Sequence, residues 1–115
     1  MTDRDIAGLQ DAVSSAWSRA TAKQWTADNP AAGQCNVTAI VVQELAGGEI
    51  LKTALDEGHH FYNRLAGQRH DFTDCQFDGA IDYDDLPSSR AEAIAGVTEA
   101  EYNAMKTAVL RHLGA

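Results

Sequence analysis

The segment from Gln34 to Ala46, QCNVTAIVVQELA, constrains this chain more than any other. Its pattern is helical, yet Val37, Ala39, Ile40, Val41, Val42 and Leu45 leave it apolar on most sides. A surface helix shows one apolar stripe, whereas a helix that is apolar all round must be covered all round. A bilayer cannot supply that cover, because a span needs ~20 apolar residues. Here the longest apolar run is broken by Thr38 and followed by Gln43 and Glu44. The helix therefore belongs in the centre of a domain, with other elements packed against it. Asn29-Pro30 marks a turn before it, since a residue preceding proline avoids the α region. Gly47 and Gly48 end it as a C-cap.

The rest of the chain supplies the cover. Ile6, Leu9, Val13, Trp17 and Ala20 recur at spacings of three and four, predicting an amphipathic helix over 3–21, with Trp25 in the polar linker that follows. Three short runs rich in aromatic and β-branched residues, 49–54, 59–65 and 69–73, predict strands, with a hairpin at Ala66-Gly67. The acidic stretch DGAIDYDDLPSS reads as a loop with a short strand around Ile81, and a short helix follows over 88–95. Thr98 and Glu101 form a capping box opening a last helix, which places Tyr102, Met105, Val109 and Leu113 on one face. The order predicts a single α+β domain over 1–115, with a buried helix and flanking helices packed on a small antiparallel sheet.

Charge and cysteine content exclude several functions. The 115 residues carry a net charge of −8, from 17 acidic against 9 basic side chains. The arginines are scattered, so the chain lacks the basic surface that neutralises a phosphate backbone, and no nucleic-acid partner is expected. The N-terminal MTDRDIAGLQ lacks the basic-then-apolar order of a signal peptide, which predicts a cytoplasmic protein without a membrane partner. Cys35 and Cys75 are then expected as free thiols. Without a C-x-x-C pair there is no zinc framework, and no metal or other cofactor is expected.

Cys35 stands where the loop becomes the buried helix. Unpaired N–H groups and the positive end of the helix dipole gather there, and both favour a thiolate. The backbone N–H of Cys35, with Gln34 beside it, is a candidate oxyanion site, and Gly33 lets a substrate approach the backbone closely. A cysteine nucleophile needs a base and the base an orienting group. A two- or four-residue loop at Ala66-Gly67 pairs Tyr62 with Asp71, which puts Asp71 on the face of His60. A three-residue loop slips the register by one and hands the role to His59, with Asn63 on its face. We take His60 as the base and Asp71 as its orienting group.

Ordinary roles compete with this reading. A helical cysteine is commonly a small buried hydrophobe, a His-His pair commonly one surface and one packing residue, and Asp71 a turn cap. A metal site from His59, His60, His70 and Asp71 is the chemical rival. Adjacent strand residues point to opposite faces, so His59 and His60 cannot share one ion. The acids from Asp71 to Asp85 miss the calcium-loop spacing and read as a solvated face. Cys75 reads as a packing residue or an oxidation partner for Cys35. Trp17, Trp25, Phe61, Phe72 and Phe77 read as core.

The segments NPAAGQCNVTAIVVQELAGGEI, GHHFYNRL and DFTDCQF, and more loosely the helix with Trp17 and Trp25, resemble the YunG-like family of small bacterial proteins over about two thirds of the chain. The family's G-x-H-aromatic-x-N histidine falls on His60, and His59 takes the variable place. Its D-aliphatic-T aspartate falls on Asp71, here followed by Phe72. That family in turn looks like a minimal papain-like/transglutaminase-like core, in which a Cys at a buried helix start faces a His and an Asp or Asn on neighbouring strands. The resemblance implies that fold and a cysteine-dependent hydrolase or acyltransferase. Cys35 would attack an amide or thioester carbonyl of a small-molecule, peptide or protein substrate, with His60 shuttling the proton. Its alternative is a non-catalytic binding or regulatory module. Only 25 residues separate Cys35 from His60, which leaves little chain for substrate-binding loops.

Overall fold

Six consecutive buried residues, Val37 to Val42, run through the central helix α2 (Cys35–Ala46). The computed structural model describes residues 3–56 and 58–114. It shows why α2 has no polar side. Val37, Val41 and Val42 pack with Leu9, Val13 and Trp17 on one side, together with Met105 and Val109. On the other, Ala39 and Ile40 pack with Ile50, Phe61 and Ala93. Two polar groups in this apolar setting are paired. The Trp17 indole donates to Thr38 Oγ1 at 3.0 Å, and Asn63 Nδ2 donates to the Ala39 carbonyl at 3.1 Å. Burial without such partners would cost each group free energy.

The first helix, α1 (Asp3–Ala16), buries Leu9, Ala12, Val13 and Ala16 at helical spacing. It stops short of the expected residue 21 because Ser18 and Thr21 draw the backbone into a turn. Thr21 Oγ1 accepts the Ser18 N–H at 2.9 Å, and Ser18 Oγ accepts the Ala20 N–H at 3.1 Å. Such local bonds compete with the helical ladder. Successive backbone turns then carry the chain to α2, with Ala32 bonding back to Asn29 and Gln34 to Ala31.

Strands β1 (Glu49–Leu55), β2 (Gly58–Leu65), β3 (Gln68–His70) and β4 (Leu86–Pro87) form an antiparallel sheet in the order β3-β2-β1-β4. Ala66 and Gly67 have φ values of 50° and 80°, the double positive of a two-residue type I′ turn. Leu65 therefore pairs with Gln68 and Asn63 with His70. β3 ends three residues earlier than expected. Asp71 accepts from the Thr73 N–H at 3.2 Å, and this local turn takes the chain out of the ladder.

No strand forms around Ile81; β4 comes later, opposite Leu51 and Lys52. The buried Thr53 hydroxyl reaches Asp82 O at 3.0 Å and accepts the Asp84 N–H at 2.9 Å. The 78–85 segment is therefore strapped to the sheet through a side chain and not through a backbone ladder. Helix α3 (Arg90–Ile94) is capped by Ser89. Helix α4 (Glu99–Leu113) carries the expected capping box of Thr98 and Glu101. Among the described residues no helix is long and apolar enough to cross a membrane.

Candidate functional site

Cys35 is the first residue of α2. The first bond closing this helix runs from the Thr38 N–H to the Gln34 carbonyl at 3.0 Å. The N–H groups of Cys35, Asn36 and Val37 thus precede the helical ladder. The Cys35 sulfur donates to Asn36 Oδ1 at 3.2 Å, and Asn36 is held in turn by Nδ2 donating to the Ala93 carbonyl at 2.9 Å.

Cys35 lies between two cavities. A cleft of about 380 Å³ opens on one side, with Gly33, Asn36, His59 and Gly96 in its wall. A smaller cavity of about 100 Å³ lies on the other, walled by Leu55, His59, His60 and Phe77. Cys35 and His59 border both.

His60 and Asp71 meet beside the smaller cavity. His60 Nε2 lies 2.7 Å from Asp71 Oδ2, with the side chains only 2% and 4% exposed. Asp71 Oδ1 is held by the Thr73 N–H at 3.2 Å and the Thr73 hydroxyl at 3.3 Å. The imidazole stacks on Tyr62 at 5.9 Å and meets Phe77 edge-on at 4.9 Å. Burial disfavours its charged form, but hydrogen bonds to Asp71 and Cys35, with the charges of both, outweigh burial and raise its pKa to about 9. With Nε2 occupied by Asp71, Nδ1 is the nitrogen left for Cys35.

The other expected residues are placed differently. Gln34 is fully buried and turned away from both cavities. Thr21 Oγ1 donates to its Oε1 at 2.8 Å, and its Nε2 donates towards the Ser18 carbonyl at 3.4 Å. Its side chain locks the 18–21 turn to the start of α2. Gly33 borders the larger cleft with φ of +72°, and a Cβ there would lie 2.6 Å from the Gln24 side chain. His59 is exposed, and His70 stacks on Phe72 at 6.0 Å. Among the described residues no group of three or more His, Cys, Asp or Glu is placed to hold a metal ion.

Cys75 is a free, exposed thiol in the turn Asp74–Gln76, not a packing residue. Desolvation of its sulfur and the adjacent Asp74 charge push its pKa up. Phe77, read as core, is a wall of the site. The acids after Asp71 are not simply a solvated face: Asp85 pairs with Arg69 through both oxygens at 2.8 Å. Tyr83 escaped the sequence reading altogether, although its hydroxyl donates to Asp71 Oδ2 at 2.8 Å. Its one signal is an aromatic residue inside an acidic loop, where a freely solvated segment has no use for it.

The family model described as "YunG protein" matches residues 5–114 of this chain. The chain belongs to the YunG family. A curated relative from Bacillus subtilis (strain 168), "Uncharacterized protein YunG", is 45% identical over 97 residues, which cover 84% of each chain. No solved structure matches this chain. In this YunG family member, three segments distant in sequence converge: GQC at the start of α2, GHHFYN in β2 and DFT just past β3.

Proposed function

We propose that this YunG family member is a cysteine-dependent hydrolase or acyltransferase of papain-like type, acting on an amide or thioester carbonyl. One observation carries the reading: the buried 2.7 Å pair of His60 and Asp71, with Cys35 on the wall of the small cavity that His60 also lines. A histidine fixed by a carboxylate on one nitrogen and facing a thiol on the other is the arrangement nucleophilic thiol catalysis requires. The Cys35 sulfur attacks the carbonyl carbon as thiolate. The carbonyl π electrons move to oxygen, and N–H groups at the open start of α2 face that oxyanion. As the tetrahedral intermediate collapses, the His60 imidazolium gives its proton to the leaving amine or thiol, and a Cys35 thioester remains. Water, or an acceptor amine or thiol, then attacks that thioester while His60 takes up the proton and Cys35 leaves. Gly33 borders the cleft two residues before the reacting sulfur, with the Gln24 side chain packed against it.

The test is alkylation of Cys35 by iodoacetamide as a function of pH, in a Cys75→Ser background so that only one thiol reports. Rapid alkylation at neutral pH that falls at least tenfold in His60→Ala supports the reading. A pH midpoint near the ordinary ~8.5, unmoved by His60→Ala, overturns it and leaves the non-catalytic module. A panel of acyl electrophiles with Cys35→Ala as control then identifies the carbonyl class.

A further inference from the structure

Asp71 Oδ2 receives two hydrogen bonds. One joins it to His60 Nε2 at 2.7 Å; the other comes from the Tyr83 hydroxyl at 2.8 Å. Three side chains aim that hydroxyl. The Tyr83 ring meets Tyr62 edge-on at 4.9 Å, and the Arg69 guanidinium lies over it at 4.3 Å. Arg69 is pinned by its two-pronged pairing with Asp85, whose Oδ1 also accepts from the Tyr62 hydroxyl at 2.9 Å. Strand β3 thus carries Arg69 two residues before Asp71, and the 78–85 strap brings Tyr83 and Asp85 back over both.

We propose that Tyr83 is a positioning residue for the Cys35–His60–Asp71 centre, with the Arg69–Asp85 pair as the latch that holds it in place. The proposal rests on the catalytic reading of that centre. A carboxylate can turn about its Cβ–Cγ bond, and the two Thr73 bonds on Oδ1 are the longer ones. The short phenol bond on Oδ2 fixes the oxygen in line with His60. It also draws off part of the negative charge that Oδ2 would otherwise present to the imidazole. Tyr83 stays a donor throughout, because burial and the Asp71 carboxylate both push its phenol well above its ordinary range. Aspartate with a single short donor on Oδ2 would hold the imidazolium more tightly and in a less defined orientation.

The experiment uses the full chain with Cys75→Ser, adding Tyr83→Phe, Arg69→Gln and the two together, each checked for folding by circular dichroism. Two quantities are read: the titration midpoint of the His60 ring by NMR, and the basic limb of the Cys35 alkylation profile. Tyr83→Phe is expected to raise both by about half a pH unit, as loss of one hydrogen bond to the carboxylate implies. Arg69→Gln is expected to move them less in the same direction. The double variant should go no further than Tyr83→Phe, because a latch has nothing left to hold. Profiles of folded Tyr83→Phe that superimpose on the parent overturn the proposal. Additive shifts in the double variant overturn the latch, since they mean that Arg69 acts through its charge alone. Absence of His60 dependence in the parent alkylation strikes the catalytic reading, while the His60 midpoint still reports whether Tyr83 governs Asp71.

Discussion

His60 and Asp71 meet at 2.7 Å because of a two-residue turn. Ala66 and Gly67 set Leu65 opposite Gln68, so even-numbered β2 residues share a face with Asp71. One residue more or less in that turn would present His59 instead. Asp71 itself has already left β3, and its bond to the Thr73 N–H turns the chain at the point where the carboxylate meets the ring. Register delivers the side chain and the local turn fixes it.

Asp71→Asn removes the charge that keeps the His60 proton in place. Burial, which disfavours the imidazolium, then meets weaker opposition. The His60 midpoint should fall from about 9 by at least one pH unit, read by NMR titration of the ring. A midpoint unchanged by the substitution would assign the proton to Cys35 alone.

Stability should depend on pH through the same ring. The folded-state pKa of His60, about 9, lies above its ordinary 6.5. Its contribution is therefore fully present below 6.5 and is lost as pH rises from 6.5 through 9. A shift of this size corresponds to a few kcal/mol. Urea unfolding between pH 6 and 9.5 should show that decline in the parent. In His60→Gln the slope in this window should be smaller; equal slopes in the two proteins would contradict the linkage.

The two adjacent histidines should separate cleanly. His59 is exposed and borders both cavities without a place in the Asp71 pair. His59→Ala is expected to alter Cys35 alkylation by less than about threefold, since no carboxylate among the described residues holds the exposed His59 ring and fixes it as a base. His60→Ala should lower it tenfold or more. Equal losses would assign the base to the wrong residue.

Gly33→Ala should destabilise the fold by about 1 kcal/mol or more, because φ of +72° is costly for alanine and its Cβ would strike Gln24. Differential scanning calorimetry measures the loss. Adding Gln24→Ala should recover only the part due to the Gln24 amide, since its Cβ still lies 2.8 Å from the new methyl, and leave the backbone part. Full recovery would mean that the left-handed backbone costs nothing here.

Much of this protein follows from local sequence. The all-round apolar pattern from Val37 to Val42 required a central helix, because no other place removes every side of it from water. Gly47 marked its end, and Thr98 with Glu101 marked the start of α4, since caps answer to neighbours within one turn. The Ala66-Gly67 turn carried the hairpin register, and with it the common face of His60 and Asp71.

Tertiary structure decided the rest, where the partner of a residue lies far along the chain. Gln34 adjoins Cys35 in sequence, yet Thr21 and Ser18 draw its side chain into the interior. Thr53 ties the acidic strap down through one hydroxyl, where local sequence predicts a strand near Ile81. Tyr83 reaches Asp71 only because that strap crosses β2 and β3 under the hold of Arg69 and Asp85. Periodicity and caps are written within a few residues of where they act. The partner of a buried polar group is chosen by whichever distant segment the folded chain brings within three ångströms.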